Sequence, residues 1–293
     1  MTQQTTTNAV QLIVIDLDGT LLNSQQQMTE RTEKALKAAL EKGVQVMLAT
    51  GKTVVSGRKL VERLGLKTPG IYSQGAAVYN ADGTLRFQQT LDPTIARQII
   101  TFAEDRGYRM TLYCGDRLLV RSVTGWLNEL HARYGEPQPE AVGGLQNVLD
   151  SVPVNKLLAV ADGDPRRTKA LRWQLSMQIN GSARLVQTAV SEVLEILPPG
   201  VSKGTALKTL LKDLKIPASA VLAIGDAEND IEMLKMAGIG VAMGNAHASV
   251  QAVANHVVAS NDADGVAEAV ERFVLPVSSD TAEEPEVVRE SES

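Results

Sequence analysis

The stretch Gln11-Leu12-Ile13-Val14-Ile15-Asp16-Leu17-Asp18-Gly19-Thr20 decides how the chain is read. Residues 11–17 are a short β-branched run, which predicts a strand buried on both faces of a parallel sheet. Two acids, a glycine and a threonine stand at its carboxyl end, where open α/β sheets place their ligands. Strand and helix then alternate. Residues 29–42 predict a helix with Thr29 as N-cap and Gly43 as stop. A strand over 44–49, a helix over 54–64, a strand over 70–73 and a hairpin around Ala81-Asp82-Gly83 follow.

The middle of the chain changes character. Helices are expected over 93–106, 124–134 and 165–178, and strands over 110–113, 118–121, 156–160, 184–188 and 192–197, with a Pro/Gly-bearing connection over 137–144. That order describes an α+β layer with its helices on one face. After Pro198-Pro199-Gly200 the alternation returns: helix 203–214, strand 221–224, helix 229–237, strand 239–242, a short helix 247–253, strand 256–258 and helix 265–273. The expected fold class is therefore α/β, a Rossmann-like parallel-sheet core with an inserted α+β cap domain. The core occupies 1–84 and 198–275, the cap 85–197, and a disordered acidic tail 276–293.

Composition excludes several function classes. The formal net charge of −5 is carried by residues 276–293, which hold six acids and one base, so the remainder sums to zero. No basic excess supports nucleic-acid binding. One cysteine, Cys114, excludes an intramolecular disulfide framework and a thiolate zinc cluster. His131, His247 and His256 form no ligand pattern and read as surface or partly buried structural residues. The first residues, MTQQTTTNAVQ, lack the features of a signal peptide, and no run approaches the roughly 18 apolar residues of a membrane helix. A cytoplasmic protein without membrane or nucleic-acid partners is expected, monomeric or a small homo-oligomer.

The strand ends carry the chemistry. They supply Asp16 and Asp18, then Thr50-Gly51-Lys52, then Asp226 to Asp230, with Lys203 opening a helix before the last strand. The set suits phosphoryl transfer. A carboxylate nucleophile approaches an anionic ester only when both charges are neutralised. Mg2+ prefers oxygen ligands and takes one or two carboxylates from a protein; Asp16 and Asp226 are the natural pair. Lys203 and Thr50 would hold phosphoryl oxygens. Asp18, two residues past Asp16, would protonate the leaving alkoxide and then activate water.

The segments DLDGT, ATG, VSKGTAL and GDAENDIEML followed by AGIGVAMGNA resemble the four motifs of haloacid-dehalogenase-superfamily phosphatases. The insertion resembles the larger type IIB cap of the Cof-like branch, and the likeness spans residues 10–275. The resemblance implies a HAD-like fold, with Asp16 as nucleophile and Asp18 as acid/base. It further implies that Thr50, Gly51 and Lys203 bind phosphate, and that Asp16, the Asp18 main-chain oxygen and Asp226 hold Mg2+. Asp230 would steady the metal's water shell, and Asn229 would sit near the phosphate or Lys203. Gly51 and Gly225 would permit close backbone approach. Two positions depart from the branch: Lys52 replaces an arginine, and Gln74 replaces an asparagine; both adjoin the substrate entrance in the family.

Three activities fit this set: a phosphatase of small phosphorylated metabolites, chiefly sugar phosphates; a phosphomutase or phosphotransferase; and a non-enzymatic phosphometabolite-binding protein. No G-x-G-x-x-G follows the first strand, which argues against dinucleotide binding. Among the remaining polar and aromatic residues, Cys114 is expected to pack and Trp126 and Trp173 to sit in the cap core, and Lys156, Arg117 and Arg121 are expected at solvated strand positions, with the cap's inner face as their alternative. Met233, Met236 and Met243 are expected to fill the core around the last strands.

Overall fold

The computed structural model describes residues 9–161, 163–187 and 190–275, and of Trp126, Leu127 and Leu130 the backbone alone. The tail expected over 276–293 and the Trp126 side chain lie outside the described residues. The chain begins with β1 (Leu12–Ile15), α1 (Glu30–Glu41), β2 (Gln45–Leu48), α2 (Val54–Leu64), β3 (Gly70–Tyr72), β4 (Ala77–Tyr79) and β5 (Leu85–Gln88). Next come α3 (Pro93–Glu104), β6 (Arg109–Cys114), β7 (Arg117–Val120), α4 (Gly125–Tyr134), β8 (Pro139–Ala141) and β9 (Lys156–Val160), then α5 (Pro165–Ile179), β10 (Arg184–Gln187) and β11 (Val193–Leu197). It closes with α6 (Lys203–Leu214), β12 (Val221–Gly225), α7 (Ile231–Met236), β13 (Ile239–Ala242), α8 (Ala248–Gln251), β14 (His256–Val257) and α9 (Gly265–Phe273).

Alternate side chains of β1 go to opposite faces, and both faces are covered. Ile13 and Ile15 pack with Leu36 of α1, Leu60 of α2 and Val270 of α9. Leu12 and Val14 pack with Leu207 and Leu210 of α6 and Met233 of α7. The core sheet runs β14-β13-β12-β1-β2, with every pair parallel. The chain spreads outward from β1 to β2 on one side and from β12 to β14 on the other. The topological switch thus falls between β1 and β12, the place where such sheets open a ligand crevice.

The second sheet, β10-β11-β9-β6-β7-β8, is antiparallel except for the parallel β7–β8 pair. Helices α3 and α5 cover one face through Ile99, Ile100, Leu171 and Leu175, against Leu112, Leu157 and Ile196. The other face carries Tyr113, Leu118, Leu158, Val160 and Val193, with Lys156 and Glu195 on the same side by strand alternation. This is the cap, and the face that carries Tyr113, Leu158 and Lys156 turns toward the core.

Several expectations are corrected. The connection over 137–144 contains an edge strand, β8, whose first residue is Pro139; proline is tolerated on an edge that donates no ladder bond there. The helix expected over 229–237 opens as a tight turn at Glu228–Asp230 before α7. Trp173 is not core but 67% exposed, on the outer side of α5. His131, read as surface or partly buried, and Lys156, read as a solvated strand position, are each 2% exposed. Arg117 and Arg121 do face solvent, paired with Glu140 and Glu104. No helix among the described residues is long and apolar enough to cross a membrane.

Between β3 and β4 the backbone takes an unusual path. Ser73 and Gln74 have φ of 47° and 61°, and Gly75 has φ of 99°. Left-handed backbone costs about 1–2 kcal/mol per non-glycine residue. Here it is held by the Ser73 N–H on the Lys52 carbonyl (2.9 Å) and the Gln74 N–H on the Thr50 carbonyl (3.0 Å). A Cβ on Gly75 would stand 2.2 Å from the Ser202 carbonyl oxygen, so this glycine lets the start of α6 come close. Gly43 has a similar φ of 82°, but a Cβ there meets nothing. Gly75→Ala is therefore expected to destabilise the protein by about 2–4 kcal/mol and Gly43→Ala by about 1 kcal/mol, compared by urea unfolding. Equal losses at the two positions would contradict the packing argument.

Candidate active site

Asp16 is the first residue past β1 and Asp226 the first past β12, so two carboxylates flank the switch point. Lys203 is the first residue of α6, placed by a capping box in which the Ser202 hydroxyl accepts from the Thr205 N–H at 2.9 Å. Its ammonium is 1% exposed and donates to Asp16 Oδ1 at 2.5 Å and Asp230 Oδ1 at 2.7 Å. Asp230 has its second oxygen on the backbone N–H groups of Asp226 (3.1 Å) and Ala227 (3.0 Å). The Thr20 hydroxyl donates to Asp226 Oδ1 at 2.8 Å. Asp226 Oδ2 would stand 2.4 Å from a Cβ on Gly19, whose φ is 79°; only glycine fits both conditions.

Asp16, Asp226 and Asp230 each present an oxygen within 4.8 Å of the others. One ammonium against three acids leaves negative charge in excess. Burial, and then the neighbouring Asp230, push the Asp226 carboxyl up to about 6. Burial likewise raises Asp16 well above the carboxylate range; Lys203 opposes this, while Asp230 and Asp226 add to it. Burial alone would lower the Lys203 ammonium, but its two acidic partners more than offset it and raise its pKa. Hard oxygen donors with uncompensated charge fit a small divalent cation such as Mg2+ and do not suit a soft metal. Asp16 and Asp226 are the groups with capacity left to hold it, since Asp230 has both oxygens engaged.

Above this cluster lies a cavity of about 340 Å³, lined by Asp16, Asp18, Gly51, Lys52, Gln74, Asp226 and Asn229 from the core and by Tyr113, His131, Lys156, Leu158 and Glu195 from the cap, among others. All ten sequence-predicted residues lie in or beneath this region. Asp18 Oδ1 is 2.9 Å from Lys52 Nζ, which also donates to Gln26 Oε1 at 3.0 Å. Thr50 is 1% exposed and accepts from the Lys52 N–H at 3.1 Å. Gln74 donates through Nε2 to Glu195 Oε2 (2.6 Å) and accepts at Oε1 from Asn229 Nδ2 (2.8 Å). Lys52 and Gln74 thus reach the cavity with their polar atoms already held by protein groups.

Sequence reasoning missed several residues here. Lys156 donates to Glu195 Oε1 (2.6 Å) and to the Gly51 carbonyl (2.7 Å), with its ammonium 4.0 Å from the centre of the Tyr113 ring. The available signal was a lysine and a glutamate inside the apolar strands KLLAV and VLEIL. Thr20, which fixes Asp226, and Asn245, whose Nδ2 donates to the Gly19 carbonyl at 2.9 Å, were quoted within motifs but given no task. His131 is buried, and burial followed by the nearby Lys156 lowers it to about 4.

The chain is similar to known proteins over most of its length. A family model described as haloacid dehalogenase-like hydrolase matches residues 13–270. Phosphatase YwpJ of Bacillus subtilis (strain 168) is 30% identical over 280 residues, covering 88% of this chain and 98% of that protein. Endoribonuclease YBEY, chloroplastic, of Arabidopsis thaliana is 34% identical over 272 residues, covering 90% of this chain. This chain spans only 46% of that longer relative. The solved structure of a haloacid dehalogenase-like hydrolase from B. subtilis superposes with a TM-score of 0.82 at 28% identity, over 90% of this chain and 100% of the other. The chain belongs to the haloacid dehalogenase-like hydrolase family.

Proposed function

We propose that this protein is a Mg2+-dependent phosphatase of small phosphorylated metabolites, sugar phosphates foremost, working through an aspartyl-phosphate on Asp16. The observation that carries the reading is the buried Lys203 bridging Asp16 and Asp230 at 2.5 and 2.7 Å, beneath a cavity roofed by the cap. Lys203 engages Oδ1 of Asp16, which leaves Oδ2 to attack phosphorus. The ester P–O bond breaks as the new P–O bond to Asp16 forms, and Asp18 gives its proton to the departing alkoxide. Asp18 then takes a proton from water, which attacks phosphorus, releasing inorganic phosphate and restoring Asp16.

Bound Mg2+ would offset charge on the attacking carboxylate and the phosphoryl oxygens. Asp16, the Asp18 main-chain oxygen and Asp226 would hold it, with Asp230 steadying the metal's water shell. Thr50 and the Gly51 backbone, beside Lys203, would receive phosphoryl oxygens. Asn229 would orient Gln74 or meet the phosphate. Specificity would come from the cap's inner face, with Tyr113, Leu158 and Val193 lying over the leaving group.

Asp16→Asn is expected to lower phosphate release at least about a thousandfold while leaving the circular dichroism spectrum and unfolding midpoint near those of the parent protein. Turnover near the parent rate would remove Asp16 from the nucleophile role. Phosphate release with no acceptor present separates hydrolysis from phosphoryl transfer to a sugar.

A pH dependence follows from Asp226, raised to about 6. Above that pH its carboxylate is free to hold a cation; below it, a proton competes. The Mg2+ concentration giving half-maximal rate is expected to rise about tenfold per pH unit below 6 and to level off above 7. A half-maximal concentration independent of pH between 5 and 7 would contradict metal binding through Asp226.

A further inference from the structure

Helix α2 begins without a cap from its own chain segment. Its first turn holds no acid, and its N-cap residue Thr53 makes no side-chain capping hydrogen bond. Such an end leaves backbone N–H groups unsatisfied and a partial positive charge exposed. Glu136, in the loop between α4 and β8, reaches over from the cap. Its two carboxylate oxygens accept from the Thr53 N–H at 3.3 and 3.2 Å, and its Oε2 accepts from the hydroxyls of Thr53 and Ser56, each at 2.6 Å. Tyr113 of the cap sheet lines the same cavity as Glu136.

We propose that Glu136 docks the cap on the core by capping α2 from across the crevice, and that discrimination among leaving groups passes through this contact. It is a positioning residue. Charge-assisted hydrogen bonds of this kind are roughly twice as strong as neutral ones. Two other cap contacts fall on the core segment between β2 and α2 that leads into Thr53: the Tyr134 ring centre lies 5.6 Å from Lys52 Nζ, and Lys156 donates to the Gly51 carbonyl.

Thr50, in contrast, is held by the core alone. Its N–H donates to the Ile71 carbonyl at 2.8 Å, and its carbonyl accepts from the Gln74 N–H at 3.0 Å. Loss of Glu136 would therefore loosen the cap without dismantling the phosphate cradle. A substrate with a small leaving group would lose little, while a metabolite gripped by the cap would lose much of its transition-state binding. The docking rests on geometry; its kinetic consequence rests on the phosphatase reading above.

The test compares Glu136→Ala and Glu136→Gln with Glu140→Gln, a control at an exposed cap pair with Arg117. Hydrogen exchange of the amides of residues 53–57 is expected to be about tenfold faster in Glu136→Ala, intermediate in Glu136→Gln and unchanged in the control. The kcat/KM for a hexose phosphate, relative to that for acetyl phosphate, is expected to fall about tenfold in Glu136→Ala. Unchanged exchange in both Glu136 variants, or equal loss on the two substrates, would overturn the proposal. Should Glu136→Ala fail to fold, Glu136→Gln carries both comparisons. If the parent protein releases phosphate from neither substrate, the phosphatase reading falls and the exchange measurement alone decides the docking.

Discussion

A lysine ammonium with almost no contact with water, held between two carboxylates, is the constraint on which the rest of this molecule depends. Lys203 is 187 residues from Asp16 and 27 from Asp230 in sequence, so the three meet only if the core assembles from both of its segments. Burying such a group is costly unless its partners are in place, and removing one partner leaves an uncompensated charge. Lys203 also stands at the first position of α6, where the helix dipole disfavours a cation. Asp16 and Asp230 offset both penalties. The surrounding backbone is arranged to permit it: Gly75 lets the start of α6 approach, and Gly225 gives way to Asp230, whose Cβ would stand 2.6 Å from a Cβ there.

The same cluster ties stability to function. Two buried acids and the half-buried Asp226 surround one buried base, and two of the acids, Asp16 and Asp226, have raised pKa values. For these two, folding favours the protonated form, so at neutral pH their ionisation weakens the native state. A cation bound only by the folded protein relieves that penalty and adds its own binding energy to stability. The mutual repulsion of these acids is the property that a bound divalent ion would relieve.

Much of the core was legible in the sequence because its signals are local. An apolar run ending in Asp16, another ending in Asp226, and a helix opening at Lys203 each announce themselves within about ten residues. Parallel pairing then requires the strand ends to share an edge. The cap's contribution was not legible in this way. Whether Lys156 meets water or a buried glutamate depends on which face of its sheet α3 and α5 cover, and strand alternation alone leaves that choice open. Glu195 poses the same ambiguity, and Glu136 sits in a loop whose partner is 83 residues away. Trp173 failed for a related reason: α5 buries Leu171, Leu175 and Ile179, which lie on one stripe, and the tryptophan falls off it.

The two departures from the family pattern acquire a physical meaning in this arrangement. Gln74, in left-handed backbone and 4% exposed, spans from Asn229 on the core to Glu195 on the cap. An asparagine in its place is one methylene shorter, and from the same backbone it could not keep both partners at these distances. Lys52 is similarly committed, between Asp18 and Gln26. Both residues hold protein groups in position, and each keeps at most one N–H donor for a ligand in the cavity. What remains facing the cavity from above is largely the apolar and aromatic side of the cap sheet, Tyr113, Leu158 and Val193. Discrimination by such a surface depends on shape and on how firmly the cap is seated. For a phosphatase of this build, the polar contacts that seat the cap, through Glu136, Lys156 and Glu195, would bear on specificity although none of them needs to touch the reacting phosphate.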